Sequence, residues 1–508
     1  MNDPDVLIVG AGPTGLVLAL SLARQGLRFR IVDRASGPGQ ASRALAMHAR
    51  TLEFYRQLGI ADGAVARGVE GRSIRMRQGG RERAKVDLTA MGVGLSPFPF
   101  VLVFPQDDHE RFLIEHLAAA GVSVEWERAL VELSQDDTGV TATLEAESGR
   151  ETLRAAYVVG CDGAHSRVRE ALGIEFPGGT YNQIFYVADV MAGGGDINDV
   201  SVNLAAEGFV LMMPVRSRGA RRLVGVMPPS EIGEGAPTIE AVRPLAERLL
   251  GLRIETVNWF STYHVHHRVA SRFRQGRCFL AGDAGHVHSP AGGQGMNTGI
   301  GDAFNLAWKL AQVLNGRIDP SVLDTYEPER IAFARVLVAT TDRAFQAVVG
   351  AGLFGKLVRG LLAPRLFGAV TRLAAVRRLM FKTISQIRIA YRDSILSEGR
   401  VGSVRAGDRL PWVPGGQGEA DNYSPLRSLD WQVHLYGQAT TTIASILASA
   451  SIPIHVFAWS ARAAAAGLTR DAVYLVRPDG HVGFAAADPA ARDLPAYLAR
   501  WGLARRAA

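Results

Sequence analysis

The chain has 508 residues, 47% of them apolar and 21% charged, with 56 Lys and Arg against 49 Asp and Glu for a net charge of +7. This is an ordinary globular balance on a chain too long for one core, so two or three domains are expected, and two cysteines, Cys161 and Cys278, exclude a disulfide framework. A pI near 9.6 favours anionic partners, yet no Lys/Arg run with interleaved aromatics argues for nucleic acid and no apolar run reaches the length of a membrane span.

The apolar run 5–9 predicts a buried strand, Gly10-Ala-Gly12-Pro-Thr-Gly15 is a full GxGxxG turn, and 16–24 predicts the helix behind it. A strand opening within five residues of the N-terminus leaves no room for a signal peptide, and a cytoplasmic protein is expected. A second apolar strand, 29–32, ends at Asp33, followed by Arg34. A carboxylate there hydrogen-bonds a free ribose 2′-hydroxyl and repels a 2′-phosphate, so the adenosine held by this unit belongs to FAD or NAD. Arg43 and His48 follow in Ser-Arg-Ala-Leu-Ala-Met-His, and Gln106 follows the apolar stretch 96–104.

Residues 157–169 repeat the strand, turn and helix order, with a tight Asp162-Gly163 turn and with Arg167 and Arg169 at the helix start. Between 181 and 230, apolar or alternating stretches at 185–190, 200–204, 209–214 and 222–226 predict an antiparallel sheet. Phe209, Leu211, Met213 and Val224 are candidates for an apolar wall on one face of it. His264, His266 and His267 close this region, and no spacing pairs the histidines with carboxylates or thiols as metal ligands, so no metal is expected.

The most informative stretch is 282–301, Gly-Asp-Ala-Gly-His-Val-His-Ser-Pro-Ala-Gly-Gly-Gln-Gly-Met-Asn-Thr-Gly-Ile-Gly. It follows an apolar strand at 277–281 and leads into an apolar-spaced helix at 302–310, so an anionic or electron-rich group is expected against its backbone N–H groups. Past 340, apolar residues recur every fourth position through Phe345, Val349, Leu353, Leu357 and Leu361, Pro364 interrupts, and a second basic helical run follows. Residues 405–411 read as a linker. The remainder contains a strand at 454–458, a Pro478-Asp-Gly turn framed by strands at 473–476 and 481–484, and a closing helix at 493–501, with no cysteine to support thiol redox chemistry.

GxGxxG at Gly10–Gly15, Asp162-Gly163 and Gly282-Asp283 stand in the order and at about the spacing of three signatures in the single-component, class A FAD-dependent aromatic hydroxylases. The chain resembles that family, typified by p-hydroxybenzoate hydroxylase and phenol hydroxylase, over its first 340 residues or so. Its C-terminal part resembles the thioredoxin-like domain of the phenol hydroxylase branch.

The resemblance implies an α/β fold: a Rossmann-type FAD-binding domain over 1–180 and 268–340, and an inserted antiparallel-sheet substrate domain over 181–267 with part of 76–104. A helical segment over 341–400 and the thioredoxin-like domain over 401–508 complete it. It implies that Gly10, Gly12 and Gly15 hold the FAD pyrophosphate, Asp33 with Arg34 the adenosine side, Arg43 the flavin phosphate and Gln106 the ribityl chain. Gly282 and Asp283 then bind the ribityl or pyrophosphate side, and Gly293, Gly295, Met296 and Asn297 face the isoalloxazine O2 edge. Asp162 and Arg167 serve FAD and NADPH. Pro290 lies beside the reactive flavin carbon, with His48 and His264 as further catalytic candidates.

No second GxGxxG stands between a predicted strand and a helix for a nicotinamide cofactor, the one at 350–355 lying inside the predicted helical run past 340, which agrees with the transient use of NADPH, or NADH, in this family. The implied reaction is reduction of FAD, addition of O2 at flavin C4a, and transfer of one oxygen from the hydroperoxide to a small aromatic substrate, phenolic or polyketide-like. Baeyer–Villiger insertion, epoxidation and a non-catalytic flavin-binding module remain open, as does a homodimer; a halogenase is disfavoured by the lack of a Trp-x-Trp-x-Ile-Pro signature.

Overall fold

The structure, a computed structural model, describes residues 3–39, 44–79, 81–193, 200–205, 208–215, 220–227, 237–289, 291–349, 373–416, 418–438, 441–487 and 493–503. Five helices position the site: α1 (Pro13–Arg24), α2 (Ala49–Leu58), α3 (Gly295–Leu314), α4 (Tyr326–Val349) and α5 (Ala374–Ile384). Val6–Val9 is a run of four buried apolar residues, as is expected of a strand covered on both faces. It lies at the centre of parallel strands, with Phe29–Val32 on one side and Tyr157–Gly160 then Cys278–Leu280 on the other. Arg274–Gln275 pairs antiparallel at the edge.

This order decides where the site is. Three adjacent parallel strands end at one edge of the sheet, and the loop leaving each is one of the three glycine-bearing motifs. Motifs about 150 and 270 residues apart in sequence therefore meet at the C-terminal edge of a single sheet.

The second sheet has eight strands. Arg253–Val269 and Gly178–Gly193 form its longest pair, near one edge, and Ala220–Val226, Gly208–Pro214 and Val200–Ala205 continue it with antiparallel neighbours. The predicted antiparallel sheet is present, extended by Ser73–Gln78, which runs parallel to Val200–Ala205, and by Arg81–Asp87. Alternation assigns its faces: Tyr186, Ala188, Val210, Met212 and Leu223 bury against the helix Arg243–Leu250, while Val187, Leu211, Met213 and Val224 meet Leu45 and Val103. At the far edge His286–Val287, part of the 282–301 loop, pairs with Arg268 and Val269, so that loop is itself the edge strand of this sheet.

The C-terminal sheet has six strands. Gln432–Tyr436 and Ile454–Phe457 are parallel, with the helix Thr441–Ser449 between them in sequence, and Val473–Val476 and Val482–Ala486 form an antiparallel hairpin before the closing helix Leu494–Arg500. This is a thioredoxin-like arrangement. The hairpin turn differs from its sequence expectation in two ways. His481 belongs to the turn, with the strand beginning at Val482, and Arg477, Asp479 and His481 are each 2% exposed or less. A turn of that polarity tolerates burial because α3 and α4 supply the partners described below. The expected helical run through 350–372 lies outside the described residues.

Candidate active site

Steric fit among the glycines shows how closely the three motifs interlock. A Cβ on Gly15 would lie 2.0 Å from the Gly10 carbonyl oxygen, and one on Gly10, at φ +106°, 2.4 Å from that of Cys161. Cβ atoms on Gly282 and Gly299 would lie 2.6 and 2.4 Å from Thr14 Oγ1. The first turn and the second motif are thus packed backbone to backbone, and the 282–301 loop lies against the Thr14 side chain at the start of the first helix. Around Gly12 and Gly163, by contrast, a Cβ would meet nothing within 4 Å, so these two face open space at the same edge. The arrangement is tight glycines behind and open glycines in front, which fits a pyrophosphate laid on the start of α1.

Around this edge the polar candidates fall into place with unequal roles. Asp33 accepts the N–H groups of Ala11 at 2.7 Å and Ala35 at 2.9 Å, which holds its carboxylate against the GxGxxG turn. Arg34 beside it is exposed. Gln106 accepts from Ala44 N–H at 3.2 Å and donates to Glu110 at 2.8 Å, and Glu110 in turn accepts from Gly39 N–H at 2.8 Å. Burial pushes the Glu110 carboxyl up, against the pull of these donors. Glu110 is missing from the sequence-based set, although its position one helical turn past Gln106 was a usable signal.

Asp162 works as a helix cap. It accepts from Ser166 Oγ at 2.6 Å and from the N–H groups of Arg167 and Val168, while burial pushes its carboxyl up. The Arg167 side chain is exposed and bonded to Glu170, whereas Arg169 is buried and donates to the carbonyls of Ala284 and Ala164, tying the second motif to the third. Asp283 is exposed beside buried Gly282. Arg43 and Pro290 lie outside the described residues.

The 292–297 turn is held by Asn297. Its Oδ1 accepts from His48 N–H at 2.8 Å and Thr51 Oγ at 2.7 Å, and its Nδ2 donates to the carbonyls of Ala46 and Gly293 at 2.8 and 2.9 Å. The side chain is fully committed, so Asn297 can offer a ligand only its backbone N–H. Gly292 and Gly293 have φ of 78° and 62°, a conformation that favours glycine. The first bond within α3 runs from Thr298 N–H to the Gln294 carbonyl with no side-chain cap, which leaves the N–H groups of Gly295, Met296 and Asn297 at the helix start.

His48 is buried beside this turn, with Nε2 3.0 Å from the Gly292 carbonyl. A carbonyl can only accept, so Nε2 carries the proton and Nδ1 is a bare acceptor; Nδ1 is buried with no hydrogen-bond partner among the described residues. Burial lowers the imidazole to about 4, so it is neutral at pH 7. His264 is not brought to this place. It is exposed, on the opposite side of its strand from buried Val265.

Of the wall candidates, Leu211, Met213 and Val224 share one apolar cluster with Leu45 and Val103, which ties the sheet to the segments flanking Gln106 and His48. Phe209 joins a neighbouring cluster with Phe185, Tyr181 and Val265. Cys161 and Cys278 are buried, and desolvation raises both thiols, Cys278 to about 12, so they pack as small apolar groups.

Sequence reasoning missed the polar layer behind the turn. Asp302 is fully buried, with Oδ2 accepting from Gly282 N–H at 2.9 Å and His286 Nε2 at 2.7 Å, and Oδ1 from Arg330 at 2.6 Å. Arg330 continues to Tyr391 Oη at 2.9 Å. The available signal was Asp302, Asn305 and Lys309 at helical spacing on an otherwise apolar α3. The bidentate pair Arg222–Asp189, 2.6 Å at each contact and buried in the eight-stranded sheet, was missed as well.

Comparison with known proteins agrees with this geometry. Residues 3–341 match the FAD binding domain family and residues 404–502 the aromatic-ring hydroxylase C-terminal family. The chain is 38% identical to 6-methylpretetramide 4-monooxygenase of Streptomyces rimosus, over 78% of this chain and 72% of that one. It is 32% identical to pentachlorophenol 4-monooxygenase of Sphingobium chlorophenolicum, over 80% and 76%. The flavin-dependent monooxygenase PieE, solved in complex with FAD and substrate, superposes with a TM-score of 0.80 at 25% identity, covering 98% of this chain and 99% of that one. Three motifs meeting at one sheet edge, a glycine cradle with room for a dinucleotide and matches over both parts of the chain make this protein a member of the class A FAD-dependent aromatic hydroxylases, a flavoprotein monooxygenase with a thioredoxin-like C-terminal domain.

Proposed function

We propose that the protein hydroxylates a phenolic or polyketide-like aromatic compound, using NADPH as the electron donor and releasing the second oxygen atom of O2 as water. FAD, once bound, supplies the two-electron and oxygen chemistry; the protein supplies placement. Gly10, Gly12 and Gly15 receive the pyrophosphate against α1, Asp33 the adenosine ribose, and Gln106, held by Glu110, the ribityl chain. The N–H groups of Gly295, Met296 and Asn297 sit at the positive end of a 20-residue helix, where they stabilise negative charge on the reduced flavin's O2 edge. Neutral His48 fixes the Gly292 carbonyl and offers Nδ1 as an acceptor to a hydroxyl or N–H donor in the site.

The observation that carries the substrate class is the sheet face of Leu211, Met213 and Val224. It is apolar, it meets the segments flanking Gln106 and His48, and it is joined to the flavin-side loop through His286–Val287. Such a face excludes water and suits a flat apolar ring. The named substrates of two relatives, 6-methylpretetramide and pentachlorophenol, are of that kind.

The test is NADPH oxidation by the FAD-loaded protein in air, with phenols and polyketide aromatics, following hydrogen peroxide and product mass together. A compound that accelerates oxidation and gains one oxygen atom on its ring is the expected result. Oxygen inserted beside a ketone, or no NADPH oxidation with any compound, overturns the proposal.

A further inference from the structure

From Arg343 to Arg392 the sequence contains ten arginines and lysines and no aspartate or glutamate before the pair Asp342 and Asp393 that bounds it. In the described part of this stretch, α5 places Arg378 and Lys382 one turn apart, both exposed, and the Arg388 N–H bonds to the Lys382 carbonyl at 3.2 Å. Among the described residues, the side chains of these three form no hydrogen bond or ion pair. Other exposed arginines, Arg34, Arg253 and Arg272 among them, also lack a bonded carboxylate among the described residues, so what distinguishes these three is their clustering on one segment that has no acid of its own. Asp408, a carboxylate that acts on Lys382, is already bonded to Arg392 at 2.6 Å and to the Arg405 N–H. Partial burial, and then the neighbouring Arg378, Arg409 and Arg388, lower the Lys382 ammonium. Arg409 is itself held by Glu53. Three unpaired cations are therefore kept close together.

The same helix is anchored to the flavin-side loop. Phe381 is buried with Leu88 and Met91, and the Ile384 carbonyl accepts from Gln294 Nε2 at 3.0 Å. Gln386 donates to Gln294 Oε1 at 2.6 Å and to Thr298 Oγ1 at 2.9 Å, and the Ser385 carbonyl accepts from Arg50 N–H. Gln294 is the residue before the three N–H groups at the start of α3. Arg378 lies six residues before Ile384, about 9 Å along the helix.

We propose that Arg378, Lys382 and Arg388 form the binding site for the phosphates of the nicotinamide dinucleotide, its 2′-phosphate included. The proposal rests on the reading that such a dinucleotide reduces the flavin. Clustered phosphates also occur on an anionic lipid surface, and Leu373 and Leu379 are 61% and 48% exposed on the same segment. The anchoring to Gln294 and Thr298 favours the dinucleotide, because it fixes the cations relative to the group that must be reduced. Guanidinium and ammonium groups recognise phosphate by charge-assisted hydrogen bonds, and Arg378 also offers a planar face to an adenine.

The experiment uses the full-length, FAD-loaded protein and its R378A/K382A/R388A variant, with K382R as the charge-conserving control. Anaerobic stopped-flow absorbance at the flavin band gives Kd for NADPH and for NADH. The expected result is a rise of about tenfold or more in Kd for NADPH, a smaller rise for NADH, wild-type FAD affinity, and near wild-type Kd in K382R. An unchanged Kd for NADPH in a variant that retains FAD overturns the site and leaves the hydroxylase reading intact. Equal effects on NADPH and NADH overturn the assignment of the 2′-phosphate. A variant that loses only its sedimentation with phosphatidylglycerol vesicles assigns the cations to a membrane surface and overturns the proposal. A wild-type flavin that neither dinucleotide reduces overturns the site and the electron-donor reading together.

Discussion

Arg477, in the hairpin turn of the C-terminal sheet, donates to both carboxylate oxygens of Glu329 on α4, at 2.8 and 2.9 Å, with both side chains 5% exposed or less. Burial alone would raise the Glu329 carboxyl, but Arg477 and Lys309 hold it well below the usual range. Lys309 is lowered to about 8, chiefly by burial. Removing one partner of such a pair leaves an uncompensated buried charge. R477A is expected to cost about 3–5 kcal/mol, read as a lower urea midpoint, while a double variant that also removes Glu329 recovers part of the loss. Equal stability of R477A and wild type would contradict this account.

Asp302 connects the Gly282 N–H, His286 and Arg330, so its effect on the cofactor is indirect and measurable. D302A is expected to weaken FAD binding at least about tenfold by fluorescence titration, since Gly282 and His286 lose the acceptor that sets their positions. R330A removes one of the three contacts and is expected to fall between D302A and wild type. Wild-type FAD affinity in D302A would show that the polar layer does not position the loop.

Gly299 faces Thr14 Oγ1 at 2.4 Å and the Gly282 Cα at 3.0 Å from its would-be Cβ. G299A is therefore expected to lose FAD and stability together. T14A removes the nearer obstruction and should restore part of both in the double variant, but not all, because the Gly282 backbone cannot be trimmed. The check is a double-mutant cycle on FAD affinity; purely additive effects would exclude the contact.

Acid should destabilise the protein earlier than its carboxylates alone would. Burial lowers His48 and His288 to about 4, and His109 and His434 to about 3. Unfolded, each titrates near 6.5, so between about 6.5 and 4 the unfolded chain binds more protons. The neutral-imidazole contribution is complete above pH 6.5 and is lost as pH falls through that window, about 3 kcal/mol for His48 alone. Urea midpoints at pH 7, 6 and 5 should fall steadily, and H48Q should flatten the slope. A midpoint independent of pH over that range would refute the assignment.

The Rossmann strands, the helix behind the first turn and the four stretches of the substrate sheet were legible in the sequence because each is set by local periodicity and by glycine spacing. The meeting of the three motifs was legible only through the family resemblance. The side chains of Asp162 and Asn297 turn out to have structural work that composition does not reveal: both types suit a ligand contact, but here Asp162 caps a helix and the Asn297 side chain is spent on Ala46, Gly293, His48 and Thr51. The Asp302–Arg330 and Arg477–Glu329 contacts were not legible, because their partners lie 28 and 148 residues apart and no local pattern records a pairing at that distance. Burial of the Pro478-Asp479-Gly480 turn went unseen for the same reason: its composition is that of a surface turn, and only α3 and α4 make it an interior one.

That buried turn also orders events in time. Glu329 leaves the ribosome 148 residues before Arg477, its partner, which at about 5–20 residues per second is roughly 7–30 s. During that interval the flavin-binding part of a nascent chain has made its motifs but lacks the guanidinium that completes its interior charge balance. The last quarter of the chain thus acts as a clock on maturation: cofactor capture by a truncated, still-growing or C-terminally clipped molecule should lag behind that of the finished one, so a cysteine-free domain sets the pace at which the flavin-binding part matures.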